Sequence, residues 1–201
     1  GMSMKDRMGV YEYAANVLRI KEKTVLEYLK TKSTVELVKK KTKIFYEGKK
    51  PEYAALLVEG VFRSYFINEE DCEVTDCLVN QPGNSLMPGF DLEAPAPATV
   101  ESLTDGQVFK IRFSDLQELL KSSQEIRTLY QDRMQRAGQY HLEKARVISG
   151  CTAEMKYRWF LKTHPGMVNQ IPDKHIAAFL RMSPVTLSQI KKKMREQEAA
   201  E

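Results

Sequence analysis

Between residues 7 and 31, apolar side chains recur at helical spacing: Met8, Tyr11, Ala15, Leu18, Val25, Leu26 and Leu29. The pattern predicts one or two helices, with a break near residues 21–23. From residue 34 to about 113 the texture changes. Short runs rich in β-branched and aromatic residues occupy 44–46, 54–58, 61–67, 74–79 and 108–113, separated by Glu47 and Gly48, Glu59 and Gly60, the acidic turn 68–71, and Gln81, Pro82 and Gly83. Strands spaced by ~8–12 residues with such turns between them predict an all-β barrel or sandwich. Pro88, Gly89, Pro95 and Pro97 mark residues 88–97 as a loop.

Helical spacing returns at Ser114, which reads as an N-cap for residues 115–121. Residues 126–148 then predict one long helix, because Ile126, Tyr130, Met134, Ala137, His141, Ala145 and Ile148 recur at steps of three and four. A narrow apolar stripe flanked by Arg127, Asp132, Arg133, Arg136, Glu143 and Lys144 is the seam expected of two paired helices, and hence of a dimer. The competing reading is a helix packed on its own β domain. Gly150 ends the helix, and a further helix is expected over 153–162. The chain thus divides into an N-terminal helical and β segment (1–122), a dimerisation helix (123–150) and a C-terminal unit (151–201).

Residues 170–193 read QIPDKHIAAFLRMSPVTLSQIKKK. A helix over 173–180 presents Ile176, Ala177 and Leu180 on one face. A turn of Arg181, Met182 and Ser183 follows, and Met182 can plug the angle between helices. Ser183 is a good N-cap, and Pro184 at the first helical position costs no hydrogen bond. A second helix runs to about residue 195 with Leu187 and Ile190 inward. This is the pattern of a helix-turn-helix. Its outward side chains suit a DNA major groove: Gln189 for adenine, Val185 for a thymine methyl, and lysines for phosphate. The candidate DNA contacts are Lys174, Arg181, Ser183, Val185, Thr186, Ser188, Gln189, Lys191, Lys192 and Lys193. The competing reading is an ordinary helical hairpin with a solvated basic face.

Charge sharpens this division. The chain has 31 basic and 27 acidic residues among 201, a net +4. Residues 1–150 hold 22 of each sign, so the whole surplus lies in 151–201. A basic module on a neutral body points to nucleic acid. Residues 59–105 run the other way, with ten acidic residues against a single basic one, Arg63. No apolar run approaches the ~20 residues of a membrane span. The opening GMSMKDRMG lacks the apolar core of a secretory signal, and Gly1 ahead of Met2 reads as a cloning remnant. Three cysteines (Cys72, Cys77 and Cys151) are an odd set for a disulfide framework, so the cytoplasm is the expected compartment.

Taken together, the order of β segment, long helix and helix-turn-helix resembles the Crp/Fnr family of bacterial transcription regulators (the cyclic-AMP receptor and fumarate-nitrate regulators). The likeness is carried by FYEGKKPEYAALLVEGVFRSYFINEEDCEVTDCLVNQPGNSL (45–86), in which Gly48, Gly60 and Gly83 match the family's glycines. ATVESLTDGQVFKIRFSDLQELL (98–120) and SPVTLSQIKKK (183–193) extend it. The resemblance implies an α+β chain: an N-terminal double-stranded β-roll of the cyclic-nucleotide-binding type, a long dimerisation helix, and a C-terminal helix-turn-helix, winged-helix-like. It implies a homodimer on a pseudo-palindromic operator in double-stranded DNA, with RNA polymerase a further partner to consider. It also implies an effector pocket, here Leu86, Met87, Pro88, Gly89, Phe90, Ala96, Ala98 and Thr99, for a small molecule the sequence does not identify.

Departures from the family are equally informative. Pro88 stands where the family's ribose-binding Glu belongs, and Ala96 where its phosphate-binding Arg belongs. Residues 85–102 contain no basic residue. An unpaired buried anion costs ~3–5 kcal/mol, so cyclic AMP or GMP binding is not expected. An iron–sulfur cluster needs four thiolates, and a haem needs axial ligands near the roll, so neither cofactor is expected. No metal site is expected. Cys72 and Cys77 flank a predicted hairpin; two unrelated thiols is the favoured reading over a reversible disulfide. In the second helix, Val185 and Gln189 replace the family's Glu and Arg, which implies a different operator, and Arg181 replaces a Gly in the turn. A cupin-type enzyme would need strand histidines, and residues 34–113 contain none. No Ser/His/Asp grouping, P-loop or Gly-x-Gly-x-x-Gly is present, so no enzyme is expected. A β-roll module whose degenerate helix-turn-helix binds protein remains the alternative.

Overall fold

Residues 7–201 are described by a computed structural model. Helices α1 (Val10–Asn16) and α2 (Lys23–Lys32) open it. The break between them passes through Arg19, whose φ of 59° turns the chain. Seven strands follow: β1 (Ser33–Val38), β2 (Lys43–Phe45), β3 (Tyr53–Glu59), β4 (Phe62–Ile67), β5 (Glu73–Val79), β6 (Thr99–Ser102) and β7 (Gly106–Arg112). Helices α3 (Phe113–Ser122), α4 (Gln124–Gly150), α5 (Ala153–Thr163), α6 (Asp173–Phe179) and α7 (Pro184–Ala200) complete it.

The strands form two antiparallel sheets, β1-β7-β3 and β2-β6-β4-β5. The five apolar runs in the sequence became β2, β3, β4, β5 and β7. The pattern did not single out β1 and β6, one an alternating segment directly after α2 and the other only four residues long. Between the sheets lie Val38, Ile44, Phe45, Ala55, Leu57, Phe62, Leu86, Val100 and Val108. Each apolar side chain fully withdrawn from water contributes roughly 1.5–3 kcal/mol. Gly60 shows why glycine punctuates these strands. Its φ is +101°, and a Cβ there would stand 2.8 Å from the Asp105 carbonyl oxygen and 2.9 Å from Gly106 Cα. Only glycine meets both demands.

Two further cores flank the roll. Tyr13, Ala14, Leu26 and Leu29 of the N-terminal helices and Leu18 between them pack with Phe109 and Ile111 of β7, Leu119 of α3 and Ile126 of α4. At the other end, Val61, Leu78 and Leu103 of the roll share a core with Tyr157, Phe160, Ile176, Phe179, Leu180, Leu187 and Ile190. The C-terminal helices are thus seated directly on the roll.

Several sequence expectations are corrected here. Ser114 is not a cap: α3 starts at Phe113, so Ser114 lies inside its first turn. The side-chain cap belongs instead to Ser123, whose hydroxyl accepts from the Ile126 N–H and starts α4. Among the described residues, 151–201 contain helices and one short 3-10 turn (Met167–Asn169) but no strand, so the winged part of the expectation has no counterpart. Cys72 and Cys77 lie five residues apart along one extended segment. At ~3.3 Å per residue their Cα atoms stand about 16 Å apart, too far for a disulfide.

Candidate functional site

A cavity of about 840 Å³ lies between the roll and α4. From the expected effector residues, Leu86, Met87, Pro88, Gly89 and Phe90 line it, but Ala96, Ala98 and Thr99 do not. Those three are buried elsewhere. The Ala96 backbone pairs with Gly48 and Lys49, and the Thr99 hydroxyl accepts from the Glu47 N–H, which hold this stretch against the turn that follows β2.

The far wall of the cavity is α4. Tyr130, Met134, Ala137 and His141 line it, and Ile126 enters the N-terminal core. Ile148 packs with the C-terminal helices, while Ala145 is exposed. The stripe read as a dimer seam is therefore largely occupied within its own chain. The helix turned its best apolar face to the roll because that is where an apolar surface awaited it. A different stripe, Gln131, Gln135, Gly138, Leu142 and Ala145, is exposed at the same steps of four and three. Leu142 is 56% exposed, and a Cβ on Gly138 would meet nothing within 4 Å.

Helix α4 also changes the charge of the cavity. Arg133 and Arg136 line it beside Arg63, cations that a count over residues 85–102 does not reach. Each has partners already. Arg63 binds Glu73 and Glu101 and lies over the Tyr65 ring. Arg133 donates to the Gly83 carbonyl and, with Arg136, pairs with Asp132.

At the lower end of the cavity, polar groups from β5 and α4 converge. Lys144, only 9% exposed, donates to the Asp76 carbonyl at 2.6 Å and to Asp76 Oδ1 at 2.7 Å. Cys77 Sγ lies 3.5 Å from His141 Nε2. Burial, reinforced by the Asp76 charge, pushes the Cys77 thiol up to about 12. Burial also holds the His141 imidazole below its ordinary range. The sequence showed Lys144 only as a charged flank of α4. No periodicity signals that a lysine will be drawn inward by one aspartate on a distant strand.

One helical turn away, Tyr140 and His164 join α4 to α5 at 2.8 Å. Thr163 Oγ1 donates to the Trp159 carbonyl and lies 2.8 Å from His164 Nδ1. The consistent proton arrangement places hydrogen on Nδ1, donated to Thr163, and lets the Tyr140 hydroxyl donate to Nε2. His164 is 5% exposed, and burial lowers its pKa to about 4, so the ring is neutral at ordinary pH.

In the C-terminal helices, α6 and α7 meet at a short turn. Ser183 accepts from the Thr186 N–H and Pro184 starts α7, as the sequence predicts. Arg181 has φ 58°, the left-handed conformation that the family's glycine would adopt without strain. Its guanidinium donates to the Thr75 carbonyl at 2.7 Å and to Ala178 at 2.8 Å. Arg181 thus reaches β5 of the roll through its guanidinium while the residue itself stays exposed. Among the expected DNA contacts, Lys191 is paired with Asp173 and Lys193 with Glu154. The Ser183 and Thr186 hydroxyls bond each other. Lys174, Arg181, Ser183, Val185, Ser188, Gln189, Lys192 and Lys193 are all exposed. Val185, at 66%, is among the most exposed large apolar side chains.

Comparison with known proteins places this architecture. Residues 35–123 match the cyclic nucleotide-binding domain family. The fold matches FixK2 from Bradyrhizobium japonicum with TM-score 0.72 and 18% identity, covering 83% of this chain and 86% of that one. It matches the c-di-GMP responsive global regulator CLP of Xanthomonas campestris with TM-score 0.66 and 14% identity, over 88% and 93% of the two chains. A candidate transcriptional regulator of the Crp/Fnr family from Eubacterium rectale matches with TM-score 0.65 and 14% identity, over 90% and 87%. No curated protein matches the sequence. The chain therefore shares its fold with these regulators, and the match to the cyclic nucleotide-binding domain family is confined to residues 35–123. No helix among the described residues is long and apolar enough to cross a membrane.

Proposed function

We propose that this chain is a sequence-specific, DNA-binding transcription regulator that acts as a homodimer, with the β-roll cavity as its effector site. The observation that carries the reading is the α6–α7 pair. It is a capped, tightly turned helix-turn-helix whose second helix keeps Val185, Ser188, Gln189 and Lys192 exposed along one side. Such a face offers an apolar contact, an amide and a cation to a major groove. The Crp/Fnr fold supports the same reading. The dimer contact is the exposed stripe of α4 centred on Gly138 and Leu142, where small side chains allow close approach.

The effector is a molecule other than a cyclic nucleotide. The segment 85–102 offers no cation, and Arg63, Arg133 and Arg136 are already engaged by carboxylates or a carbonyl. Effector binding would shift α4 against the roll and rotate the paired C-terminal helices toward the spacing of one DNA turn, roughly 34 Å.

Operator selection with the purified protein, followed by binding measurements from 50 to 200 mM salt, tests the reading. A selected sequence bound with steep loss of affinity over that range supports it. Absence of any salt-sensitive DNA complex favours a protein-binding module. Calorimetry with cyclic AMP and GMP tests the effector statement, and micromolar affinity for either overturns it.

A further inference from the structure

Cys77, Asp76 and His141 bring three different ligand chemistries to one point of the cavity wall. Cys77 Sγ stands 3.5 Å from His141 Nε2 and 3.9 Å from Asp76 Oδ2. One donor atom from each residue lies within 4.8 Å of the others. Around a four-coordinate ion with a metal–sulfur bond near 2.3 Å and metal–nitrogen or –oxygen bonds near 2.0–2.2 Å, neighbouring donors stand roughly 3.3–3.8 Å apart. The edges at Cys77 are close to those values before any ion is present. Lys144 does not fill the ligand position. It holds Oδ1 and the backbone carbonyl of Asp76, while Oδ2 is the oxygen near the thiol. A carboxylate whose second oxygen is hydrogen-bonded is the usual state of a metal-bound one.

We infer that Asp76, Cys77 and His141 form a binding site for a divalent transition-metal ion of the zinc, cobalt or nickel kind, tying β5 to α4. Thiolate and imidazole select such ions over magnesium or calcium. On binding, the thiol proton leaves to solvent and a metal–thiolate bond replaces it; with the Asp76 carboxylate and the Lys144 ammonium bound to it, the loaded site carries one net positive charge. Three protein donors leave a coordination position that opens on the cavity all three residues line, for water or for a donor atom of an effector. Thr75, the residue before Asp76, carries the carbonyl that anchors Arg181 of the α6–α7 turn. A metal that draws β5 onto α4 therefore acts beside the seat of the C-terminal helices. This consequence rests on the regulator reading; the site itself does not.

The test is titration of the full chain, freed of metal by a chelator and kept reduced, with cobalt(II) alone. The expected result is one ion per chain and a thiolate-to-cobalt charge-transfer band. Cys77→Ser should abolish the band, and His141→Gln should weaken binding more than about tenfold. A Cys72→Ser, Cys151→Ser double variant should keep both, which shows that the remaining thiol is the ligand. Circular dichroism establishes that each variant is folded. Absence of the band in the parent chain, its survival in folded Cys77→Ser, or its loss in the folded double variant overturns the proposal. None of these readouts involves DNA, so a failure of the regulator reading is seen separately, in the operator experiment.

Discussion

The cavity and the C-terminal helix pair assemble their polar chemistry in opposite ways. The cavity collects Arg63 from β4, Asp76 and Cys77 from β5, and Arg133 and His141 from α4, residues separated by up to 78 positions, from 63 to 141. The face of α7 comes from a single helix, Val185 to Lys192. Side chains within one helix are placed by its 3.6-residue period, so their common orientation can be read directly. Side chains from separate elements meet only through packing. The same contrast holds for charge. The basic character of 171–195 is visible as a run, yet Asp173 and Glu154 neutralise two of its lysines. The acidic character of 59–105 is equally visible, yet α4 delivers two arginines to the wall facing it.

The sharpest way to break this comparison is to cut the tie between the strand and the helix. Asp76→Ala leaves Lys144 buried without its carboxylate and should destabilise the chain by about 3 kcal/mol, toward the low end for buried pairs because Asp76 is itself partly exposed. Urea unfolding measures it, and a change below about 0.5 kcal/mol would show that the pair contributes little.

The buried His164 predicts an effect of similar size. Its folded pKa of about 4 lies below the ordinary 6.5, so the unfolded chain takes up its proton first as pH falls. The contribution is full above pH 6.5 and declines as pH falls through 6.5 toward 4, by about 3 kcal/mol in all. Urea midpoints at pH 7 and pH 4.5 should diverge more for the parent than for His164→Phe. Equal pH slopes in the two would refute the assignment.

On the α7 side, Gln189→Ala should cost about 1–3 kcal/mol of affinity for the selected operator and relax preference at a single base position. Lys192→Ala should instead weaken all DNA and lower the salt slope by about 1. If the two variants behave alike, the division between base and phosphate contacts is wrong. The smallest effect is expected at Lys191, whose charge is already paired. Lys191→Ala should change stability by less than about 1 kcal/mol and the salt slope less than Lys192→Ala does. A larger slope change at Lys191 would mean that Asp173 releases it on DNA. For the dimer, Leu142→Glu should dissociate the protein in sedimentation while Met134→Ala leaves it associated, which separates the exposed stripe of α4 from the stripe facing the cavity.

Much of the fold was legible along the chain because its signals are local. The five apolar runs became strands. Gly48, Gly60 and Gly83 all have the positive φ that their turns require. The cap at Ser183 and the proline at position 184 start α7 as expected. Strand β1 was missed because it continues from α2 without a turn residue, and β6 because four residues carry too little pattern. Of the residues expected in the effector pocket, 86–90 line the cavity. Ala96, Ala98 and Thr99 do not, because the turn at 47–49 after β2 holds that stretch instead.

By itself, the sequence determined the element order, the two helices and turn near the C-terminus, and the charge difference between roll and helices. Each depends on residues within a few positions of one another, where backbone geometry dictates which side chains share a face. Only the tertiary structure decided which face of α4 meets the roll, that Lys144 turns inward to Asp76, that Arg181 reaches back to Thr75, and that Cys77 comes to stand beside His141. Those outcomes depend on which surfaces are left to be covered once sheets and helices pack, and the spacing of residues along one element does not contain that information.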